Sequence, residues 1–426
     1  MRMPRHFSYF PRLAVITSVS FLCFSPEQSF AGSYLLSAHG GSNPSSNSTG
    51  SPPTGKGVKR SSVANVAGNC AHCHEQHATL GGAGPANYLL FDTLEGNAIC
   101  ISCHNGSVPL PVDNIASQFS KLHKHDPNSL KGKVLCNDCH NSHIAQNTNH
   151  IEGAGNAASG PLLAVAGVSV NSWPIPGNPP PGSDAALAPG TPTLNNIYPI
   201  SMEYQLCLKC HGGQIDYASK GVADLRGQFN PYNFSVHPVA TETFNWKNAY
   251  LLANPTALKN PWNTTTTPRP QMYCSDCHGS DNPSDPTGPH GSSNFFILKA
   301  YGPGITMDNL CNKCHDVTSS AWVEGPGNPD PLLNGDHTLP QHQYPSNTMG
   351  CAACHGGING ALVSNVHGAN YLWPNYLANP GRPSTEFLVG GLITQNYYML
   401  PGTDTRGNRR CASSCHLNDG GAGYTY

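Results

Sequence analysis

Cys136-Asn-Asp-Cys139-His140-Asn141-Ser142-His143 is the most telling stretch of the chain. Two cysteines two residues apart are followed at once by a histidine, and another histidine comes three residues later. The first part of this pattern recurs as Cys70-Ala-His-Cys73-His74, Cys100-Ile-Ser-Cys103-His104, Cys207-Leu-Lys-Cys210-His211, Cys274-Ser-Asp-Cys277-His278, Cys311-Asn-Lys-Cys314-His315 and Cys351-Ala-Ala-Cys354-His355. An eighth copy, Cys411-Ala-Ser-Ser-Cys415-His416, carries one extra residue between its cysteines. Of 17 cysteines only Cys23 stands outside these motifs.

Cys-x-x-Cys-His is the spacing of covalent c-type haem attachment. Each cysteine sulfur forms a thioether with one vinyl group, and two intervening residues let both reach the same edge of the macrocycle. The next residue, histidine, then places its imidazole on the iron. The longer eighth motif needs a looser loop to do the same. Structural zinc and disulfides also use paired cysteines, but neither requires histidine directly after the second one. Histidine makes up 21 of 426 residues. Eight chance placements have a probability on the order of 10⁻¹¹, which sets both alternatives aside. Eight haems c are therefore expected, with His74, His104, His140, His211, His278, His315, His355 and His416 as proximal ligands.

The N-terminus reads as a secretory signal: Arg2, Arg5 and Arg12, an apolar run from Leu13 to Phe24, then Ser29-Phe30-Ala31 as the cleavage site. The apolar run is too short to span a bilayer. Cys23 follows Leu22, where a lipidated cysteine would follow a small residue, so it reads as an apolar signal residue. Haem attachment outside the cytoplasm agrees with this, and the location expected is the periplasm or the outer surface. Removing three arginines and Glu27 from 22 Lys+Arg and 24 Asp+Glu leaves a balance of −4. Haem propionates take the formal charge to about −12 ferric and about −20 ferrous, which disfavours nucleic acid and favours basic partners or metal cations.

Only 11% of residues are charged, while glycine (45) and proline (38) are abundant. Such a chain has few strong helix or strand formers. The expected fold is mostly irregular loops with short α-helices, little β-structure, wrapped around a chain of covalent haems that supplies the missing core.

The flanks of the motifs divide the chain into four two-haem units. Residues 1–31 form the signal and 32–68, rich in Ser, Gly, Asn and Pro, a flexible arm. The units follow at 69–104, 105–211, 212–315 and 316–426. Pro/Gly-rich insertions at 153–199 and 374–405 read as surface loops without regular structure. The first motif of each unit is followed by another histidine: His77, His143, His290 and His367. Each unit also has one upstream: His39, His123 or His125, His237, and His337 or His342. These ten are the distal-ligand candidates. Thr93-Leu94-Glu95, Ser201-Met202-Glu203 and Thr306-Met307-Asp308 announce short helices before second motifs, a hydroxyl cap followed by an acid. His72 and His150 are left over, and Lys121 and Lys124 read as propionate partners.

His77 and His143 lie three residues beyond their own motif histidines. The macrocycle would separate each from the far face of its own iron, so both are expected to serve neighbouring haems. In an assembly of copies, His39 or His77 is the expected ligand to cross between subunits.

The pairing of motifs resembles the doubled-CxxCH family of multihaem cytochromes over nearly all of residues 70–416. Cys73-His74-Glu75-Gln76-His77 followed by Leu80-Gly81-Gly82 is similar to the opening of secreted multihaem cytochromes of metal-reducing bacteria, some of which form conductive filaments. The resemblance implies electron transfer through bis-histidine, low-spin haems, with redox proteins or extracellular acceptors as partners and self-association as an option. No catalytic residue is expected. The alternative is an octahaem oxidoreductase acting on a nitrogen or sulfur oxyanion at one haem with an open distal position.

Overall fold

A computed structural model describes residues 34–40, 57–74, 97–108, 112–126, 133–153, 157–174, 191–213, 224–233, 235–241, 255–265, 269–299 and 308–316, with short stretches at 367–369, 398–400, 410–412 and 424–425. His77, His337, His342, Cys351, Cys354, His355, Cys415 and His416 lie outside the described residues, as do the signal segment and the 374–397 part of the last insertion.

Regular structure is sparse, and the helices coincide with the motifs. They are α1 (Ala98–Ile101), α2 (Cys136–Cys139), α3 (Glu203–His211), α4 (Cys274–Cys277) and α5 (Asp308–Cys311). Among the described residues only α3 exceeds a single turn, and Gly212 follows it. Its expected cap is replaced. The Gln205 side chain, not the Ser201 hydroxyl, takes the free N–H groups of Ser201 (2.8 Å) and Met202 (3.0 Å). Glu203, expected to serve its own helix, reaches the next motif instead: its carboxylate accepts from Ser275 N (2.8 Å) at the start of α4. Asn97 does the same one unit earlier, accepting from Cys136 N (2.7 Å) at the start of α2. The residue opening one motif helix thus caps the following one.

The strands form small antiparallel ladders. Gly167–Val170 pairs with Leu194–Ile197, in register Val168 to Asn196. This corrects the expectation for 153–199, because both strands fall within that insertion. Val168 is 1% exposed, and the ladder packs on α3 through Val165, Ile200 and Leu206. Gly167 is needed there: a Cβ would meet Gln205 O at 2.6 Å and Ile200 Cγ2 at 2.4 Å. A second cluster joins Phe229, Val239, Ala240, Trp262 and Met272. Among the described residues 14 hydrophobic side chains are buried beside 13 polar or charged ones, so the polypeptide's own core is half polar.

Two further ladders recur between units: His123–Lys124 with Gly291–Ser292, and Ser235–Val236 with Gly368–Ala369. The segment expected as a free arm is pinned at its two ends. Ala38 N donates to Ala145 O (2.7 Å), and Val58 N to His39 O (2.9 Å). Arg410–Ala412 is the middle strand of a three-stranded sheet, with Cys411 opposite Met399 and Tyr424. The eighth motif therefore begins on a strand, whereas the first six lie on helical turns. Among the described residues no helix is long and apolar enough to cross a membrane.

Candidate functional site

The motifs share one local geometry. The histidine N–H closes a helical turn on the first cysteine's carbonyl: His74 to Cys70 (2.9 Å), His104 to Cys100 (3.0 Å), His140 to Cys136 (2.9 Å), His278 to Cys274 (2.8 Å) and His315 to Cys311 (2.9 Å). In α2 and α4 the aspartate inside the motif tightens the turn, with Asp138 accepting from Leu135 N (2.8 Å) and Asp276 from Tyr273 N (2.7 Å).

Each of the six described motif histidines faces one other histidine. Ring centres are 6.1 Å apart for His74–His143, 6.2 Å for His39–His104 and 6.1 Å for His140–His290. They are 6.4 Å apart for His125–His211, 6.1 Å for His278–His367 and 6.3 Å for His237–His315. These rings are too far apart to touch. A true stacked contact in the same protein, His150 on Tyr273, has centres 3.6 Å apart. The larger spacing is what one metal between two imidazoles imposes: a metal–nitrogen bond of about 2.0 Å, with the ring centre about 1.1 Å beyond, places two centres about 6.2 Å apart. Six repeats of that value, each beside a free cysteine pair, fit a thioether-bound haem with two axial histidines.

The hydrogen bonds prepare the rings for that role. Nδ1–H donates to a backbone carbonyl in His39 (Ser142 O, 3.0 Å), His104 (Asp113 O, 3.0 Å) and His125 (Pro289 O, 2.8 Å). It does so also in His140 (Pro161 O, 2.9 Å) and His278 (Phe296 O, 2.8 Å). His367 donates to the side-chain Oε1 of Gln228 (3.0 Å). Such a bond leaves Nε2 with the free lone pair and fixes the ring about its axis. Burial adds to this. It holds His290 down to about 4, helped by the neighbouring His140, His125 and His104, and His367 down to about 3, helped by His278, His237 and His211. Burial also lowers His39, His125, His140 and His278. Neutral imidazoles, the form a metal needs, are the result.

The partners arrive by two routes. Motifs one, three and five are met by the histidine that follows the motif two places on: His143, His290 and His367. Motifs two, four and six are met by the histidine upstream of the preceding motif: His39, His125 and His237. The two routes are laced together, since His125 N bonds to His290 O (3.2 Å) and His237 N to His367 O (3.0 Å). His143 thus faces His74 and not its own His140. Of the pair left open by the sequence, His125 faces a motif histidine, whereas His123 packs on Phe295 (5.0 Å) with its Nε2 buried and unbonded.

The cysteine edges run in sequence order. The Cys100 thiol sits against that of Cys136, and the Cys207 thiol against that of Cys274, each neighbour pushing the first thiol up. Burial first, and then the thiols of the next motif, raise Cys139 (beside Cys207 and Cys210) and Cys277 (beside Cys314 and Cys311), each to about 12. Glu203, Cys207 and Cys274 come within metal-binding reach of one another. The two cysteines belong to different motifs, and Ser275 occupies both Glu203 oxygens, so the trio reads as the junction of two motifs.

The leftover residues have structural partners. His72 is 1% exposed, with Nδ1 accepting from Arg60 N (3.1 Å) and Nε2 donating to Val66 O (2.9 Å). His150 bonds to Asp276 (2.7 Å). Lys121, expected beside propionates, is held by Ser280 (2.6 Å), Asp281 (2.7 Å) and Asp285 (2.6 Å), and Lys124 by Phe119 O (2.8 Å). The ladders and the capping of one motif by the previous one had no sequence signal, because two-residue strands carry no periodicity.

No family model, curated protein or solved structure matches the chain.

Proposed function

We propose that the protein is an octahaem c-type cytochrome that passes electrons along haems held in sequence order outside the cytoplasm. The six histidine pairs 6.1–6.4 Å apart carry this reading. Iron bound between such pairs would supply one-electron couples of low potential. The chain's own residues tether, orient and space these couples: cysteines fix one edge, paired histidines hold both faces, and buried carbonyls lock the ring tautomer. Each described motif histidine has an imidazole opposite it, which favours a conduit over an oxyanion reductase needing an open position.

The same register bears on self-association. His39, one of two candidates for crossing between copies, faces His104 within the chain. His77 is then the remaining candidate. Among the eight motifs, the two supply routes leave His77 without an iron and His355 without a partner. Copies arranged head to tail match one to the other.

Ferric absorption and spin-state measurements test the function. Expected is eight haems per chain, predominantly six-coordinate low-spin and slow to bind carbon monoxide when reduced. Three or more high-spin, ligand-binding haems per chain would overturn the conduit reading in favour of an enzyme. His77→Ala tests the assembly, with one new high-spin haem per chain and loss of filaments expected.

A further inference from the structure

We infer that the chain imposes two electronic classes of haem in alternation along the wire. This rests on the ligation proposed above and goes beyond it. The angles between the facing imidazole planes sort by motif parity. They are 8°, 29° and 31° at His74, His140 and His278. They are 74°, 58° and 76° at His104, His211 and His315. No angle falls between 31° and 58°, so near-parallel and crossed pairs alternate through all six described motifs.

The alternation has a cause in the backbone. Near-parallel pairs belong to the following-histidine route and crossed pairs to the upstream route. In the upstream route the same hydrogen bond recurs. His39 Nδ1–H donates to Ser142 O, directly before His143, and His125 Nδ1–H to Pro289 O, directly before His290. The carbonyl preceding one route's ligand therefore sets the ring plane of the other route's ligand. On the near-parallel side, Gln228 Oε1 holds the plane of His367. Gln228 is a positioning residue and acts only through that ring.

Ring angle matters because each imidazole donates π density perpendicular to its own plane. Two parallel rings raise the same iron d orbital. They split the pair that shares the ferric hole and stabilise the ferric state. Crossed rings raise one orbital each and leave the pair nearly degenerate, without that stabilisation. The parallel class gives a rhombic low-spin resonance with three resolved features. The crossed class gives a single, strongly anisotropic low-field feature and the higher potential.

Low-temperature electron paramagnetic resonance of the fully ferric holoprotein, beside its absorption spectrum, tests this. Expected are both low-spin signals, each from at least three haems per chain, with the low-field signal vanishing first on stepwise reduction. Gln228→Leu should shift or broaden one rhombic component, leave the low-field feature intact and keep every haem six-coordinate. Gln228→Glu, which keeps an acceptor oxygen, should restore the component. A single class in the wild type, the reverse order of reduction, or an unaltered rhombic signal in Gln228→Leu would overturn the inference, while all-low-spin absorption left the electron-transfer reading standing. Predominantly high-spin haem would overturn both.

Discussion

Replacing His125 and His123 in turn separates a ligand from its near neighbour. The two differ in surroundings rather than in sequence signal. The His125 ring centre lies 6.4 Å from that of His211, with Nδ1 bonded to Pro289 O at 2.8 Å. The His123 ring lies 5.0 Å from Phe295, and its buried Nε2 has no partner. Under the proposed ligation, His125→Leu would remove one axial ligand from one of eight haems, so about one eighth of the ferric haem should become five-coordinate and high-spin. On reduction that fraction binds carbon monoxide. His125→Met keeps six-coordination and raises the potential of the same haem. His123→Leu removes a polar atom that bonds to nothing and fills the same space, so stability changes by less than about 1 kcal/mol and every haem stays low-spin. Absorption near the high-spin charge-transfer band, carbon monoxide stoichiometry and a redox titration check these outcomes. A high-spin haem in His123→Leu together with an unchanged His125→Leu would refute the assignment.

Three other substitutions probe the scaffold. His72→Ala strips a side chain 1% exposed and removes the acceptor for Arg60 N–H and one of two donors to Val66 O; thermal melting should show a loss of about 2–4 kcal/mol with the spin state unchanged. Asn97→Ala removes the acceptor for Cys136 N, and should cost about 1 kcal/mol, a loss that Asn97→Asp recovers. In the Lys121 cluster, burial pushes the Asp281 carboxyl up, but hydrogen bonds from Lys121 and Ser293 outweigh it and hold it at about 2. A carboxyl depressed in the folded state stabilises above its unfolded value near 4, and that contribution fades as pH falls through about 2. Lys121→Met should therefore be less stable than the wild type by about 1 kcal/mol at neutral pH, the gap closing between about pH 4 and pH 2 in denaturant titrations.

The motifs and the extra histidines that flank them were legible because each is a local pattern of rare residue types. Cys136 to His143 already contains a motif histidine and the histidine that faces a different motif. Which histidine faces which motif was not legible, since His140 and His290 meet through two-residue ladders too short to leave a periodic trace. The choice between His123 and His125 depended on what each ring meets, Phe295 for His123 on the short strand and His211 for His125 just beyond it. The hairpin at Gly167–Val170 and Leu194–Ile197 lay hidden in a Pro/Gly-rich stretch, where composition argued for loops and burial of Val168 against α3 won. Lys121 read as a propionate partner and His72 was left without a role because their partners, Asp281, Asp285, Arg60 and Val66, come from other turns of the chain.

The two supply routes also order the assembly of the fold. With nearly as many buried polar as buried apolar side chains among the described residues, the polypeptide has little core to organise it. Closing a loop as long as that between His140 and His290 costs about 4–5 kcal/mol in chain entropy, more than a two-residue ladder returns. The histidine pairs must therefore hold the ladders together, rather than the reverse. A chain emerging N-terminus first presents His39, His125 and His237 before the motifs they face, at His104, His211 and His315. Under the proposed ligation those sites would be complete as soon as their own cysteines are joined to haem. His74, His140 and His278 wait for His143, His290 and His367, each of which follows the motif two places further along. Each waiting site is closed by a segment already bonded to an upstream histidine, as His290 is to His125. The near-parallel pairs thus lock the crossed pairs before them, and the interlacing couples the six described motifs although the regular elements are short.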